Sequence, residues 1–322
     1  MISQSFANPV LSVCSPLLII LIASLLSITC GGSTSSITSD PTPVILDLRA
    51  VLGSTDLAKG QNRLVFALMD HRSAPIMASS ALVNLSYVHE GKVEHYEEIE
   101  APFRTWPTKS MGVFAIQINF PLAGRWLAEI VPQDGNAAGQ LARLSLDIKE
   151  LSVTPAIGAP APRSKQRTLN NVKVLEELTT DPKPDPKLYD MTVAQALDVG
   201  LPFLITFSTP AFCSSAICGP QLDVVKSLYN AYEGRINAIH IEVFENPLEV
   251  RGNPRRGRIN PAMREWALPT EPWTFIIDSE GKISAKFEAF TSYEELEEAL
   301  IPVVEVWKGF PKPDGFQNAP KT

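Results

Sequence analysis

Two cysteines, Cys213 and Cys218, are the residues of this 322-residue chain whose type and spacing best suit chemistry. A cysteine can serve as a nucleophile, a metal ligand or half of a disulfide, and the thiolate is the reactive form in the first two roles. Of the four cysteines, Cys14 lies inside an N-terminal apolar segment and Cys30 at its end, so this pair stands alone in the part expected to fold. The run is Cys213-Ser-Ser-Ala-Ile-Cys218-Gly219-Pro220. Proline is favoured at the first position of a helix, so a helix is expected to begin near Pro220. Leu222, Val225, Tyr229 and Tyr232 would share one of its faces. If the five steps between the cysteines were helical they would rise about 7.5 Å, beyond the roughly 4.4–6.8 Å Cα separation of a disulfide. The pair can bond only if the intervening residues bend out as a loop.

The compartment decides whether such a bond can persist. Residues 16–28, PLLIILIASLLSI, are apolar but shorter than the roughly 20 residues of a comfortable membrane span, and suit the core of a secretory signal. Cys30 follows Thr29, and GGSTSSITSDPTP then reads as a flexible tether. This resembles a bacterial lipoprotein signal, which implies lipidation of Cys30. No Lys or Arg precedes Arg49, and Ser27-Ile28-Thr29 departs from the small-residue pattern before such a cysteine. An uncleaved anchor and ordinary cleavage are the alternatives. All three place the remainder on the extracytoplasmic face of a membrane, where the pair is free to oxidise. The net charge of −7 and pI near 5.3, with no concentrated basic stripe, argue against nucleic acid as a partner. Arg251, Arg255, Arg256 and Arg258 are threaded with Gly252, Pro254 and Gly257 and read as a solvated loop rather than an anion site.

The elements that must position the cysteines fall into two domains. After the targeting segment (1–29) and tether (30–43), residues 44–150 read as an immunoglobulin-like β-sandwich. Seven β-rich runs (VILDLRAVL, RLVFALM, ALVNLSYV, KVEHYEEI, VFAIQINF, RWLAEIV, LARLSLDI) are separated by turn residues. Residues 151–189 are proline-rich and read as a linker. From 190 to 310 the pattern is α/β, and 311–322 form a tail. PFLITFS and INAIHIEVF are expected as buried strands, and WTFIID with KISAKFEAF as a hairpin around Ser279-Glu280-Gly281. Thr291 to Glu294 is expected to cap a last helix that ends or kinks near Pro302.

This order resembles the thioredoxin superfamily, in particular bacterial extracytoplasmic thioredoxin-like proteins, over roughly residues 190–309. LITFSTPAFC (204–213) is similar to the strand that delivers the family's active-site cysteine, Val224 to Tyr232 to the helix behind it, and Glu271-Pro272-Trp273-Thr274 to its cis-proline turn. The resemblance implies an α/β thioredoxin fold and thiol–disulfide exchange without a cofactor. Cys213 would be the attacking thiol and Cys218 the resolving one, and a cis Pro272 would leave backbone free to hold a protein thiol or disulfide substrate. Both sulfurs would sit at a helix N-terminus, which favours thiolate. The sequence departs from the family in three places. The spacing is Cys-x4-Cys rather than Cys-x-x-Cys, Thr206 stands where a buried carboxylate often helps move the proton, and Phe212 replaces the usual Trp. A rival alignment takes Cys218-Gly219-Pro220-Gln221 as the motif, with Gln221 in place of the second thiol.

Two other readings stay open on sequence. One is a binding or assembly module that keeps the fold and a structural disulfide. The other is a copper carrier using the cysteines with His240, since thiolate and imidazole together suit copper. His240 in mid-strand reads first as a packed, hydrogen-bonded residue. Met69, His71, Met77, His89 and His95 match no ligand spacing, and Glu294, Glu295, Glu297 and Glu298 read as a solvated helix face.

Overall fold

A computed structural model describes residues 47–107, 111–213 and 216–306. The targeting segment with Cys14, the tether with Cys30, and the tail lie outside the described residues. The β module and the α/β part belong to one compact unit, Ile45–Thr322. Among the described residues no helix is long and apolar enough to cross a membrane.

The N-terminal module contains β1 (Arg49–Leu52), β2 (Gly60–Met69), the two-residue β3 (Pro75–Ile76), β4 (Ser80–His89), β5 (Lys92–Thr105), β6 (Gly112–Phe120), β7 (Gly124–Pro132) and β8 (Ala142–Ile148). Strict alternation explains its core. In β8, Ala142, Leu144, Leu146 and Ile148 are buried while the residues between them face solvent. Glu90 (φ 50°) and Gly91 (φ 76°) form the two-residue hairpin between β4 and β5, a left-handed pair that matches strand twist. The strands form a single hydrogen-bonded path, β1-β2-β6-β5-β4-β7-β8, with β3 on β2. The long β5 is the reason: residues 92–102 pair with β4, and residues 103–105 pair with β6. A bridge from Ala58 to Lys149 ties the start of the module to the end of β8, giving a barrel-like sheet.

The C-terminal part is a four-stranded α/β layer with the element order that the thioredoxin resemblance implies. Its order is α1 (Val193–Val199), β9 (Phe203–Ser208), α2 (Cys218–Ala231), β10 (Asn237–Glu242), α3 (Pro247–Gly252), α4 (Pro261–Glu265), β11 (Trp273–Ile277), β12 (Ile283–Glu288) and α5 (Tyr293–Val306). The sheet runs β10-β9-β11-β12, with β9 parallel to β10 and antiparallel to β11. The central strands β9 and β11 are buried along their whole length, as expected for strands covered on both faces. Phe203, Ile205, Phe207, Phe275 and Ile277 pack with α1 and Trp266 on one face. Leu204 and Ile276 pack with Leu222, Val225 and Leu228 of α2 and Leu296 and Leu300 of α5 on the other.

Four expectations need correction. The proline-rich stretch is extended but packed: Leu178, Leu188 and Tyr189 enter the α2–α5 core, and Thr179, Thr180 and Asp181 are buried. It is part of the C-terminal structure rather than a free spacer. The box that opens α5 sits one residue later than expected. The Glu295 N–H donates to Ser292 Oγ (3.3 Å) and the Ser292 N–H to Glu295 Oε2 (3.4 Å), while the Thr291 N–H is taken by Gln221 Oε1 at 2.7 Å. The same Glu295 is not solvated. It is buried in an ion pair with Arg63 of β2 (2.9 Å). Finally, α5 continues past Pro302, held by the buried Leu300, Val303 and Val304 on either side of it. Two of the four arginines of the cluster are engaged: Arg251 donates to the carbonyls of Thr179 and Asp181, and Arg258 pairs with Glu245 and Glu249.

Candidate functional site

The site forms where β9 ends and α2 begins. Beyond Ser208 the chain turns, with the N–H groups of Phe212 and Cys213 donating to Thr209 O (3.3 and 3.1 Å). Ala216 adopts a left-handed conformation (φ 57°), and its N–H donates to Cys213 O at 3.1 Å. The segment therefore turns back instead of running on as helix. It brings the two Cα atoms to 5.9 Å, and the sulfurs of Cys213 and Cys218 are bonded. Cys218 is the first residue of α2 and fully buried, while Cys213, outside the helix, is partly exposed. The cysteine before the helix is thus half-buried and the one that starts it fully buried.

The second wall comes from the turn before β11. The Glu271–Pro272 peptide is cis, and Pro272 O accepts from the Ala289 N–H at 3.0 Å. Trp273 Nε1 donates to Thr270 Oγ1 (3.0 Å), which in turn donates to Glu288 Oε1 (2.6 Å). The bend directs the Glu271 carboxylate at the sulfurs: Oε2 lies 3.6 Å from Cys218 Sγ and accepts from the Thr209 N–H at 2.6 Å. Sequence reasoning noted this turn only for its proline. Nothing in residue type or spacing brings Glu271 to a cysteine 53 positions earlier; only the strand order does.

The surrounding electrostatics are set by burial. Burial raises the Glu271 pKa, and the Thr209 hydrogen bond works against that rise. Glu242, at the end of β10, is pushed up to about 7 by burial, with the nearby Glu271 charge adding to the effect. Its Oε2 accepts from Thr180 N (2.7 Å) and Oγ1 (2.8 Å), a partner supplied by the proline-rich stretch. His240 is pulled down to about 4 by burial. Its Nδ1 lies 2.7 Å from the Tyr189 hydroxyl and its Nε2 3.0 Å from the Ser208 hydroxyl. Both ring nitrogens are engaged inside the core, the role first read for this residue. His71, His89 and His95 are all exposed.

The remaining departures from the family also find their places. Thr206 carries no proton-transfer group: its hydroxyl is 3.2 Å from that of Thr274, in the sheet interior. Gln221 is fully buried and bonded to Thr274 and Thr291, so it braces α2 against β11 and α5 rather than substituting for a thiol. What the arrangement can do chemically is accept attack at the partly exposed Cys213 and close again through Cys218, with a carboxylate beside the inner sulfur.

No protein-family model matches the chain, and no curated protein matches it in sequence. Several solved structures match parts of it. A thiol:disulfide interchange protein of the thioredoxin family from Chlorobium tepidum is 15% identical, over 46% of this chain and 98% of its own, with a TM-score of 0.32. StoA from Bacillus subtilis is 17% identical over 38% of this chain and 94% of its own, at 0.28. The Lin-41 filamin domain is 12% identical over 32% of this chain and 93% of its own, at 0.20.

Proposed function

We propose that this chain is a membrane-tethered, extracytoplasmic thiol–disulfide exchange protein acting on protein thiols or disulfides. Cys213 is the nucleophile, Cys218 the resolving thiol, and Pro272 the residue whose cis bond presents backbone to an extended substrate. Attack by the Cys213 thiolate on a substrate disulfide forms a mixed disulfide and expels one substrate thiolate. Cys218 then attacks the Cys213 sulfur, releases the second substrate thiolate and leaves the Cys213–Cys218 bond. No cofactor is needed. The immunoglobulin-like reading of the β module fits a dock that holds the redox domain away from the membrane. Cys30, as the lipidated residue, supplies the tether.

The observation that carries this reading is the asymmetry of the pair, with Cys213 partly exposed outside the helix and Cys218 buried at its first residue. A disulfide kept only as a staple gains nothing from such placement, whereas an exchange pair requires it. Insulin reduction by the full-length protein with dithiothreitol as electron source tests it. Activity should be present in the wild type and abolished by Cys213→Ser with the fold unchanged by circular dichroism. Wild-type turnover no faster than dithiothreitol alone, or unchanged turnover in the variant, would leave the binding-module reading with a structural disulfide.

A further inference from the structure

We propose that Glu271 is the proton acceptor for Cys218 in the resolving step. The inference rests on the exchange chemistry proposed for the cysteine pair and adds a third group to it.

A resolving thiol must lose its proton before or as it attacks, because the thiolate is the nucleophile. Cys218 is fully buried, so bulk water is a poor acceptor for that proton. The strand that leads to the cysteines supplies none: the Thr206 hydroxyl is committed to Thr274, and Gln221, one turn into α2, cannot ionise. The carboxylate that does reach the inner sulfur comes from the opposite wall, with Glu271 Oε2 at 3.6 Å from Cys218 Sγ. The Thr209 N–H fixes that oxygen at 2.6 Å, and Pro272 fixes the backbone that carries it. Once the disulfide is opened at Cys213, the Cys218 S–H has Oε2 as a hydrogen-bond acceptor already in place.

The groups facing Glu271 are consistent with this task. Cys213 and Cys218 approach from the start of α2 and the turn before it, and Glu242 from β10, with Thr209 neighbouring both carboxylates. Arg264 of α4 lines the cavity that Glu271 borders. Burial makes Glu271 a stronger base than an exposed glutamate, in the direction of the neutral pH at which a general base is most effective.

In the step itself, the Cys218 S–H bond breaks and its proton passes to the Glu271 carboxylate. The sulfur's electron pair then forms the bond to Cys213. The Cys213–substrate S–S bond breaks and the substrate leaves as thiolate, to be protonated by solvent. The pair is oxidised by two electrons and the substrate disulfide is reduced by two. In the reverse direction Glu271 returns the proton to Cys218.

The test uses the reduced full-length protein and glutathione disulfide. Samples are acid-quenched through time between pH 5.5 and 8, and mass spectrometry scores Cys213 as glutathionylated or joined to Cys218. In the wild type the glutathionylated species should be short-lived. In Glu271→Gln it should accumulate, because resolution slows about tenfold or more below pH 7, the scale of a lost general base. Formation of the mixed disulfide is followed in the same samples, so that the rate of resolution is read separately from it. Glu271→Asp, which keeps the carboxylate, should recover part of the rate. If Glu271→Gln resolves at the wild-type rate or faster across the range, the assignment is overturned. If wild-type Cys213 never takes up glutathione, it is the exchange reading itself that fails.

Discussion

At the scale of residues, two buried titratable groups behind the sulfurs give the protein a distinctive pH response. Glu242 has its pKa raised to about 7, so the folded chain holds a proton that the unfolded chain has released. Its stabilising contribution is complete below about pH 4.5 and is lost as pH rises through about 7. His240 is depressed to about 4, so its contribution is complete above about pH 6.5 and lost as pH falls through about 4. Between roughly pH 4.5 and 6.5 the two slopes oppose each other and largely cancel. Glu242→Gln removes one of them. Its urea-unfolding free energy is therefore expected to gain on that of the wild type steadily as pH rises from about 4.5 through about 7. By pH 8 the variant should have gained on the wild type by about 1–3 kcal/mol, the scale of one to two pKa units. Chemical unfolding at four pH values measures this, and parallel curves for the two proteins would refute it. Residue chemistry was legible only in part. The cysteines could be found because just two of the four lie beyond residue 30. Glu242 and Glu271 look like any surface acid until the sheet buries the first and the cis bend aims the second.

At the scale of elements, the strands and helices of the C-terminal part were readable because β9 and β11 are mostly apolar runs and α2 shows a helical apolar face. What sequence could not reveal is which residues meet across the two halves of the chain. Arg63 of β2 donates through Nε and Nη2 to both oxygens of Glu295 on α5 (2.9 Å each), and through Nη1 and Nη2 to the carbonyls of Glu288 and Phe290. A helix wheel assigns Glu295 to solvent because it carries no information about a strand 232 residues away. Arg63→Ala should cost about 3–5 kcal/mol, since it leaves a buried carboxylate with only Arg104, at 3.9 Å, beside it. The combined change Arg63→Met, Glu295→Leu should cost far less, because it leaves no unpaired charge. Denaturant midpoints of the single and double variants decide this. Similar losses in both would mean that packing, not charge, holds the contact. The capping register of α5 belongs with the same pair, because Glu295 accepts from the Ser292 N–H as well as from Arg63.

At the scale of the whole molecule, the β module is hydrogen-bonded to the edge strand β12 of the C-terminal sheet. Thr55 donates to both oxygens of Glu288 (2.6 Å each), and Glu288 also accepts from Thr270, whose hydroxyl receives the Trp273 indole N–H. Lys286 of β12 lies 3.4 Å from Asp56, and hydrogen bonds from Ser152, Val153 and Thr154 outweigh burial to hold that carboxyl well below its usual range. Hydrogen bonds thus run from the β module through β12 to the residues flanking Pro272. The change from a β-rich to an α/β pattern was legible because helical periodicity of about 3.6 enters only in the second half. The closeness of the halves was not, because proline-rich composition describes a segment's conformational preference and says nothing of what it packs against.

The measurement that bears most directly on the central claim is the midpoint potential of the Cys213–Cys218 pair in the full-length protein. It is read by peptide mass after equilibration in glutathione buffers. A pair with one cysteine partly exposed and a carboxylate beside the sulfur of the other should be labile, with a midpoint of about −120 to −270 mV. A midpoint below about −300 mV, the range of structural disulfides, would contradict the account.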